Sequence, residues 1–293
     1  MIIFKGMNIT PVYMLPFRTV FLIFIIFSFT GWVAEVLYVG ITSAHKFINR
    51  GFLHGPLCPV YGFGGLVILL LPPFLYKTWV PLFFASMILC TCVEYFVSWI
   101  MEKMFHTRWW DYSHYKIQLN GRICLLNSVL FGFMGLGMIH YVYPFLLYFL
   151  AGINRFLLKV SSDFILAALF ADLFVTVRKL VDFNMTMEKL HTMGESLREY
   201  YGHEIWFKNG TLAEMFASVK EYSEKEKGRI SQNLLETIDN LQKNRQKTIE
   251  TLIKKFPSMQ SVRYKQELAQ LKLSLLKMEL RDKIRGEDKK KGK

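Results

Sequence analysis

The run from residue 17 to 41 is apolar apart from Arg18, Glu35 and a few small or hydroxyl-bearing side chains. A stretch of that length meets the demand of a lipid bilayer, where every backbone polar group must be bonded within the segment, by forming one spanning helix. It exceeds the apolar core of a signal peptide, and no small-residue cleavage pattern follows, so it is expected to stay in the chain as an anchor. Further apolar runs follow at 59–75, 78–101, 123–143 and 163–180. With 52% hydrophobic and 16% aromatic residues overall, concentrated in the first 180 positions, this part is too apolar for a soluble fold. The expected class is all-α, a polytopic membrane helix bundle of about five spans.

Two segments qualify that count. Pro72 and Pro73 are expected to kink or end the second span. The stretch 144–159 is short, opens with Pro144 and carries Arg155 and Lys159, so it reads as an amphipathic interfacial helix; a sixth span is the alternative. Lys and Arg cluster between spans one and two (Lys46, Arg50), between spans three and four (Lys103, Arg108, Lys116, Arg122) and after span five. The positive-inside bias then orients the N-terminus outside and the C-terminus in the cytoplasm of a cell membrane.

Residues 1–180 therefore form a transmembrane domain and 181–293 a cytoplasmic helical one. In the second, Ile230, Leu234, Ile238, Leu241, Ile249 and Leu252 keep helical spacing, as do Tyr264, Leu268, Leu271, Leu275 and Met278 after a Phe256-Pro257-Ser258 break. This predicts a helical hairpin or short coiled coil with a basic, lysine-rich end. Such an end serves as a solvated face or as an attractor for anionic lipid. No nucleic-acid-binding motif accompanies it, and no nucleic-acid partner is expected.

Glu35 and Glu94 each lie near the end of an apolar helix and are followed by a polar, glycine-rich loop bearing an arginine. An acid at membrane depth is costly, so it marks a pathway, a relay or an internal ion pair. The first loop contributes Arg50, His54, Cys58 and Tyr61, and the second Asp111, Asn120 and Arg122. Both glutamates are expected at similar depth, and Gly62-Phe63 and Gly132-Phe133 occupy corresponding places, as if one polar site were built twice. Helical spacing puts Ser28, Gly31, Trp32 and Glu35 on one side of span one, and Cys90, Thr91, Glu94 and Ser98 on one side of span three. The plainer account is that each glutamate pairs with Arg50 or Arg122 and holds its loop in place.

The glycines and prolines of the first loop suit either a broken segment lining a cavity or a tight turn into span two. Trp99, Trp109, Trp110, Tyr112 and Tyr115 suit an interfacial aromatic belt, with Asp111 bonded to a loop arginine. Cys58, Cys90, Cys92 and Cys124 lack the spacing of a zinc site, and no metal, cofactor or catalytic residue is expected.

Gly31-Trp32-x-x-Glu35, Asn49-Arg50-Gly51-Phe52-Leu53-x-Gly55-Pro56, Cys58-Pro59-x-Tyr61-Gly62-x-Gly64, Trp110-Asp111-Tyr112 and Asn120-Gly121-Arg122-Ile123-Cys124-Leu125 occur in that order. Their combination resembles the CmpB-like family of bacterial membrane proteins, named as ABC-transporter type IV permeases, over roughly residues 17–180. The resemblance implies a multi-pass bacterial membrane protein of transporter type and carries over no binding or catalytic residue.

No Gly-x-x-x-x-Gly-Lys-Ser/Thr loop occurs, so any ATPase is expected to be a separate subunit. A unit of this size is expected to work as a homo- or hetero-oligomer among membrane lipids. The function expected is a permease subunit of unknown substrate, not an enzyme. The alternative is a non-transporting scaffold or regulator whose basic tail binds a protein partner or anionic lipid.

Overall fold

The computed structural model describes residues 10–40, 49, 51–226, 230 and 232–273. Arg50 of the expected site, Lys46, and the tail positions Leu275 and Met278 lie outside the described residues. The fold is all-α, and two units are each compact: Met1–Met104 with Trp109–Arg178, and Phe105–Arg108 with Lys179–Lys293.

Helix α1 (Phe17–Val39) starts directly after Pro16, whose fixed φ suits a helix entry. Helix α2 (Pro59–Leu69) opens on Pro59, which has no N–H to leave unbonded in the first turn. It ends before Pro72 and Pro73, so it is helical over about 16 Å at 1.5 Å per residue, roughly half of a bilayer's apolar thickness. Helix α3 (Trp79–Phe105) is long and unbroken. A hairpin of β2 (Gln118–Leu119) and β3 (Ile123–Cys124) precedes α4 (Leu125–Gly137).

After α4 the structure departs from the expected interfacial helix. A π-helical turn, Met138–Val142, carries the chain straight into α5 (Tyr143–Ala151), and Pro144 lies in the first turn after it. Proline is tolerated there because the bonding pattern has already been reset by the π turn. The real break comes at Gly152–Asn154, where the Asn154 side chain accepts from the Phe156 N–H and starts α6 (Arg155–Tyr201). That helix runs unbroken through the expected fifth span and well beyond residue 180.

Among the described residues three helices are long and apolar enough to cross a membrane: Phe17–Leu37, Trp79–Phe105 and Leu125–Ala151. Their packed interior joins Leu22, Ile23 and Phe27 of α1 to Ile68 and Leu69 of α2, Leu82 of α3, and Ile139, Tyr143 and Leu146 of the π turn and α5. Phe84, Ile88 and Phe96 of α3, Phe133 of α4, and Phe145 and Phe149 of α5 stay exposed. Large apolar side chains pointing outward from helices of spanning length fit a surrounding of lipid rather than water, and the protein is membrane-embedded.

In the second unit, β1 (Thr107–Arg108) pairs antiparallel with β4 (Gln260–Ser261). Helix α7 (Leu212–Lys225) begins with a capping box between Thr211 and Glu214. Helix α8 (Gln232–Lys255) is tied to α7 by an ion pair of Lys220 and Asp239. The chain turns at Phe256-Pro257 and is helical again over 265–273, where the Lys272 ammonium donates to the Pro257 and Met259 carbonyls. Phe183, Met187, Leu190, Phe216, Val219, Ile238 and Leu268 are buried in this unit.

Candidate functional site

The seam between α1 and α2 is built on missing side chains. A Cβ on Gly31 would lie 2.3 Å from the Tyr61 ring, one on Gly62 would lie 2.3 Å from the Ser28 hydroxyl, and one on Gly65 would lie 2.4 Å from the Phe27 ring. Backbones that approach this closely bring Tyr61 over α1, and its hydroxyl donates to Glu35 Oε1 at 2.6 Å. The same device recurs between α3 and α4. Gly132 seats Phe83, Gly135 seats Ser86, and Thr91 donates to the Ser128 hydroxyl at 2.8 Å.

Glu94 sits on the buried stripe of α3 that includes Ser86, Cys90 and Ser98, four residues apart, so the helical period itself lines them up. The Tyr112 hydroxyl donates to Glu94 Oε1 at 3.2 Å. Each glutamate is thus held by a tyrosine from the segment that follows its helix. The expected pairing of Glu94 with Arg122 is not formed: Arg122 Nη2 instead bonds Glu102 Oε2 at 2.9 Å, and both side chains are largely buried. Glu102 lies two helical turns beyond Glu94, which places it level with the loop that carries Arg122.

That loop is set by its turn. Asn120 and Gly121 adopt φ of 54° and 68°, the left-handed pair required between β2 and β3, and the Arg122 N–H closes on the Leu119 carbonyl at 3.0 Å. The turn delivers the Asn120 amide to the Tyr95 hydroxyl at 3.0 Å and the Arg122 guanidinium to within 5.5 Å of the Tyr95 ring centre. The Trp110 indole donates to the Arg122 carbonyl, and Asp111 accepts from Ser113 within the same loop. Burial first, then the Glu94 charge, hold the Tyr112 phenol far above its ordinary value, with Cys124 and Glu35 adding to the effect. Tyr112 therefore senses both glutamates, which places them in one electrostatic neighbourhood.

The first loop is clamped from two sides. Asn49 Oδ1 accepts from the Trp32 indole at 2.8 Å and from the Gly51 N–H at 2.9 Å, and its amide donates to the His54 carbonyl. Asp172 of α6 accepts from the backbone N–H of His54 at 2.9 Å and of Gly55 at 2.7 Å, and from the Thr176 hydroxyl. Cys58 is buried, and its N–H donates to the Ser28 carbonyl at 2.9 Å. Among the described residues no three His, Cys, Asp or Glu side chains are grouped to hold a metal.

The family model described as Putative ABC-transporter type IV matches residues 22–177. The chain belongs to that family. Neither a curated protein nor a solved structure matches it. The family match runs from α1 to α6 and contains the whole polar layer, including Glu35, Tyr61, Glu94, Tyr112, Arg122 and Asp172.

Sequence reasoning left Glu102 unassigned and placed Tyr112 in an aromatic belt. The Asn120-Gly121 pair is the sequence signal that would have predicted the β2–β3 hairpin, and with it the position of Arg122. Glu102 is two turns from Glu94 on one helix, and that spacing could have offered it as the partner of Arg122.

Proposed function

We propose that this protein is a non-enzymatic, multi-pass subunit of a membrane transporter, a permease component that works with a separate ATPase subunit. The observation that carries this reading is the doubled glutamate–tyrosine pair set between apolar helices. A polar layer at membrane depth has a large desolvation cost, and a pathway for a polar solute is a function that requires one. In the proposed arrangement the protein lies in the cell membrane with its N-terminus outside and its C-terminal unit in the cytoplasm, assembled as a homo- or hetero-oligomer among membrane lipids. No nucleic acid takes part.

The second compact unit, with its own buried core and basic end, favours a second reading, a scaffold or regulator that recruits a soluble protein or anionic lipid. One experiment separates the two. The tagged protein is purified from its native membrane, and bound proteins and lipids are identified by mass spectrometry for wild type and for a Glu35→Gln, Glu94→Gln double variant. Co-purification of an ATPase subunit, or of a small ligand lost in the variant, is the result expected for a transporter. Wild type carrying neither, with every partner retained by the variant, would replace that reading with the scaffold.

A further inference from the structure

The buried face of α3 contains an acceptor that no donor among the described residues bonds. Glu94 is 8% exposed; Oε1 takes the Tyr112 hydroxyl, while Oε2 has no hydrogen-bond partner among the described residues. Arg122 in this layer gives Nη2 to Glu102 at 2.9 Å, while its buried Nε and Nη1 bond no acceptor among the described residues, Glu94 Oε2 included. The groups acting on Glu94 and on the Tyr112 that holds it are otherwise neutral or acidic. They are Glu35 on α1, Cys90 one turn earlier on α3, and Cys124 at the start of α4. Tyr61 on α2 gives its proton to Glu35.

An ionised carboxylate in this position would be desolvated on one oxygen with no cation paired to it among the described residues, a state that burial strongly disfavours. Glu35 adds like-charge repulsion. Transfer of one proton from a hydronium ion to Oε2 breaks one O–H bond and forms another, leaves neutral water, removes the carboxylate charge and keeps the Tyr112 bond to Oε1 in place. We infer that Glu94 is a proton-binding site, occupied at rest and emptied when water or a cationic group reaches Oε2. The assignment rests on and deepens the transport reading of this polar layer, because a carboxyl that loads and releases a proton changes the charge that a passing polar solute meets. Glu35 is set apart by geometry: it is partly exposed, and the Tyr61 hydroxyl reaches its Oε1 at 2.6 Å.

A hydrophobic carbodiimide tests this directly, because it modifies carboxyl groups in their protonated form within apolar surroundings. The full chain in phospholipid vesicles is labelled across a pH series, and modified peptides are identified by mass spectrometry, with Glu94→Gln fixing the assignment. The expected result is modification at Glu94 at neutral pH and none at Glu102, with labelling falling about tenfold per pH unit above the group's own midpoint. Labelling at Glu94 that does not vary with pH, or is absent throughout, would overturn the inference. Labelling suppressed by sodium or potassium ions at fixed pH would also overturn it, by making the ligand a metal cation. Because labelling reads protonation whether or not a solute crosses, its failure is distinguishable from failure to recover an ATPase or ligand. An infrared carboxyl band lost in Glu94→Gln supplies a second measure on a variant close in shape to the protonated acid.

Discussion

Replacing Gly31 with alanine should open the polar layer at its α1–α2 hinge. The new methyl would lie 2.3 Å from Tyr61 Cγ and 2.5 Å from its Cβ. Comfortable carbon contacts begin at about 3.5 Å, so the helices must part by about 1 Å. Tyr61 cannot simply swing away, because its hydroxyl is engaged with Glu35 at 2.6 Å and Gly62 faces Ser28 and Phe24 one residue further on. Overpacking costs about 1–3 kcal/mol. The better helix propensity of alanine returns about 1 kcal/mol. Loss of the bond to a carboxylate adds about 1.5–3 kcal/mol. The net destabilisation is about 1.5–5 kcal/mol, or a fall in Tm of about 3–20 °C for a unit of this size. Thermal unfolding of the detergent-solubilised protein reads the change, and a double-mutant cycle assigns it. In a Tyr61→Gly background, which removes both ring and Cβ, the Gly31→Ala penalty should vanish. A strictly additive double variant would refute the steric account.

Other consequences follow from the same contacts. Asp172→Ala removes the acceptor of the His54 and Gly55 amides, and hydrogen exchange at those two positions should accelerate more than tenfold while the α3–α4 amides are unchanged. Thr211→Ala breaks the capping box of α7 at a cost of about 1 kcal/mol, readable as roughly fivefold faster exchange in the first turn of that helix. The Tyr112 phenol is held above its ordinary value of 10.0, so the folded state keeps a proton the unfolded state releases. Its contribution to stability is complete below about pH 10 and falls as pH rises further. Tyr112→Phe should therefore reduce the alkaline slope of stability against pH by one proton, and an unchanged slope would show that the phenol titrates freely.

The sequence revealed which residues share a helix face more clearly than which residues meet across the bundle. Cys90, Glu94 and Ser98 were legible as one buried stripe because a helical period places them without help from tertiary structure. The partner of Glu94 was not legible. Arg122 and Tyr112 lie in the same loop, and only the Asn120-Gly121 turn, by directing Arg122 toward Glu102, leaves Glu94 to the tyrosine. Pro144 misled for a related reason. Proline breaks a regular α-helix, but the preceding π turn had already altered the backbone bonding, a feature with no simple periodic signature. The ends of α2 were readable because Pro59, Pro72 and Pro73 act locally.

The two glutamates look equivalent in sequence, yet their surroundings give them different work. Glu35 is partly exposed and bound at 2.6 Å by a tyrosine wedged against Gly31, so its carboxylate acts as the anchor of the α1–α2 seam. Glu94 is more deeply buried, bound at 3.2 Å, and has one oxygen without a hydrogen-bond partner among the described residues. Glutamine keeps shape and an acceptor at either position but removes the charge. At Glu35 this weakens a charge-assisted bond to a neutral one, a loss of about 0.5–1.5 kcal/mol in thermal stability. At Glu94 glutamine resembles the protonated acid, so stability at neutral pH should change by less than about 0.5 kcal/mol while proton exchange is abolished. If Glu35→Gln proved silent and Glu94→Gln strongly destabilising, the roles would be reversed: Glu94 would be an ionised structural anchor, and the layer would have no proton to move.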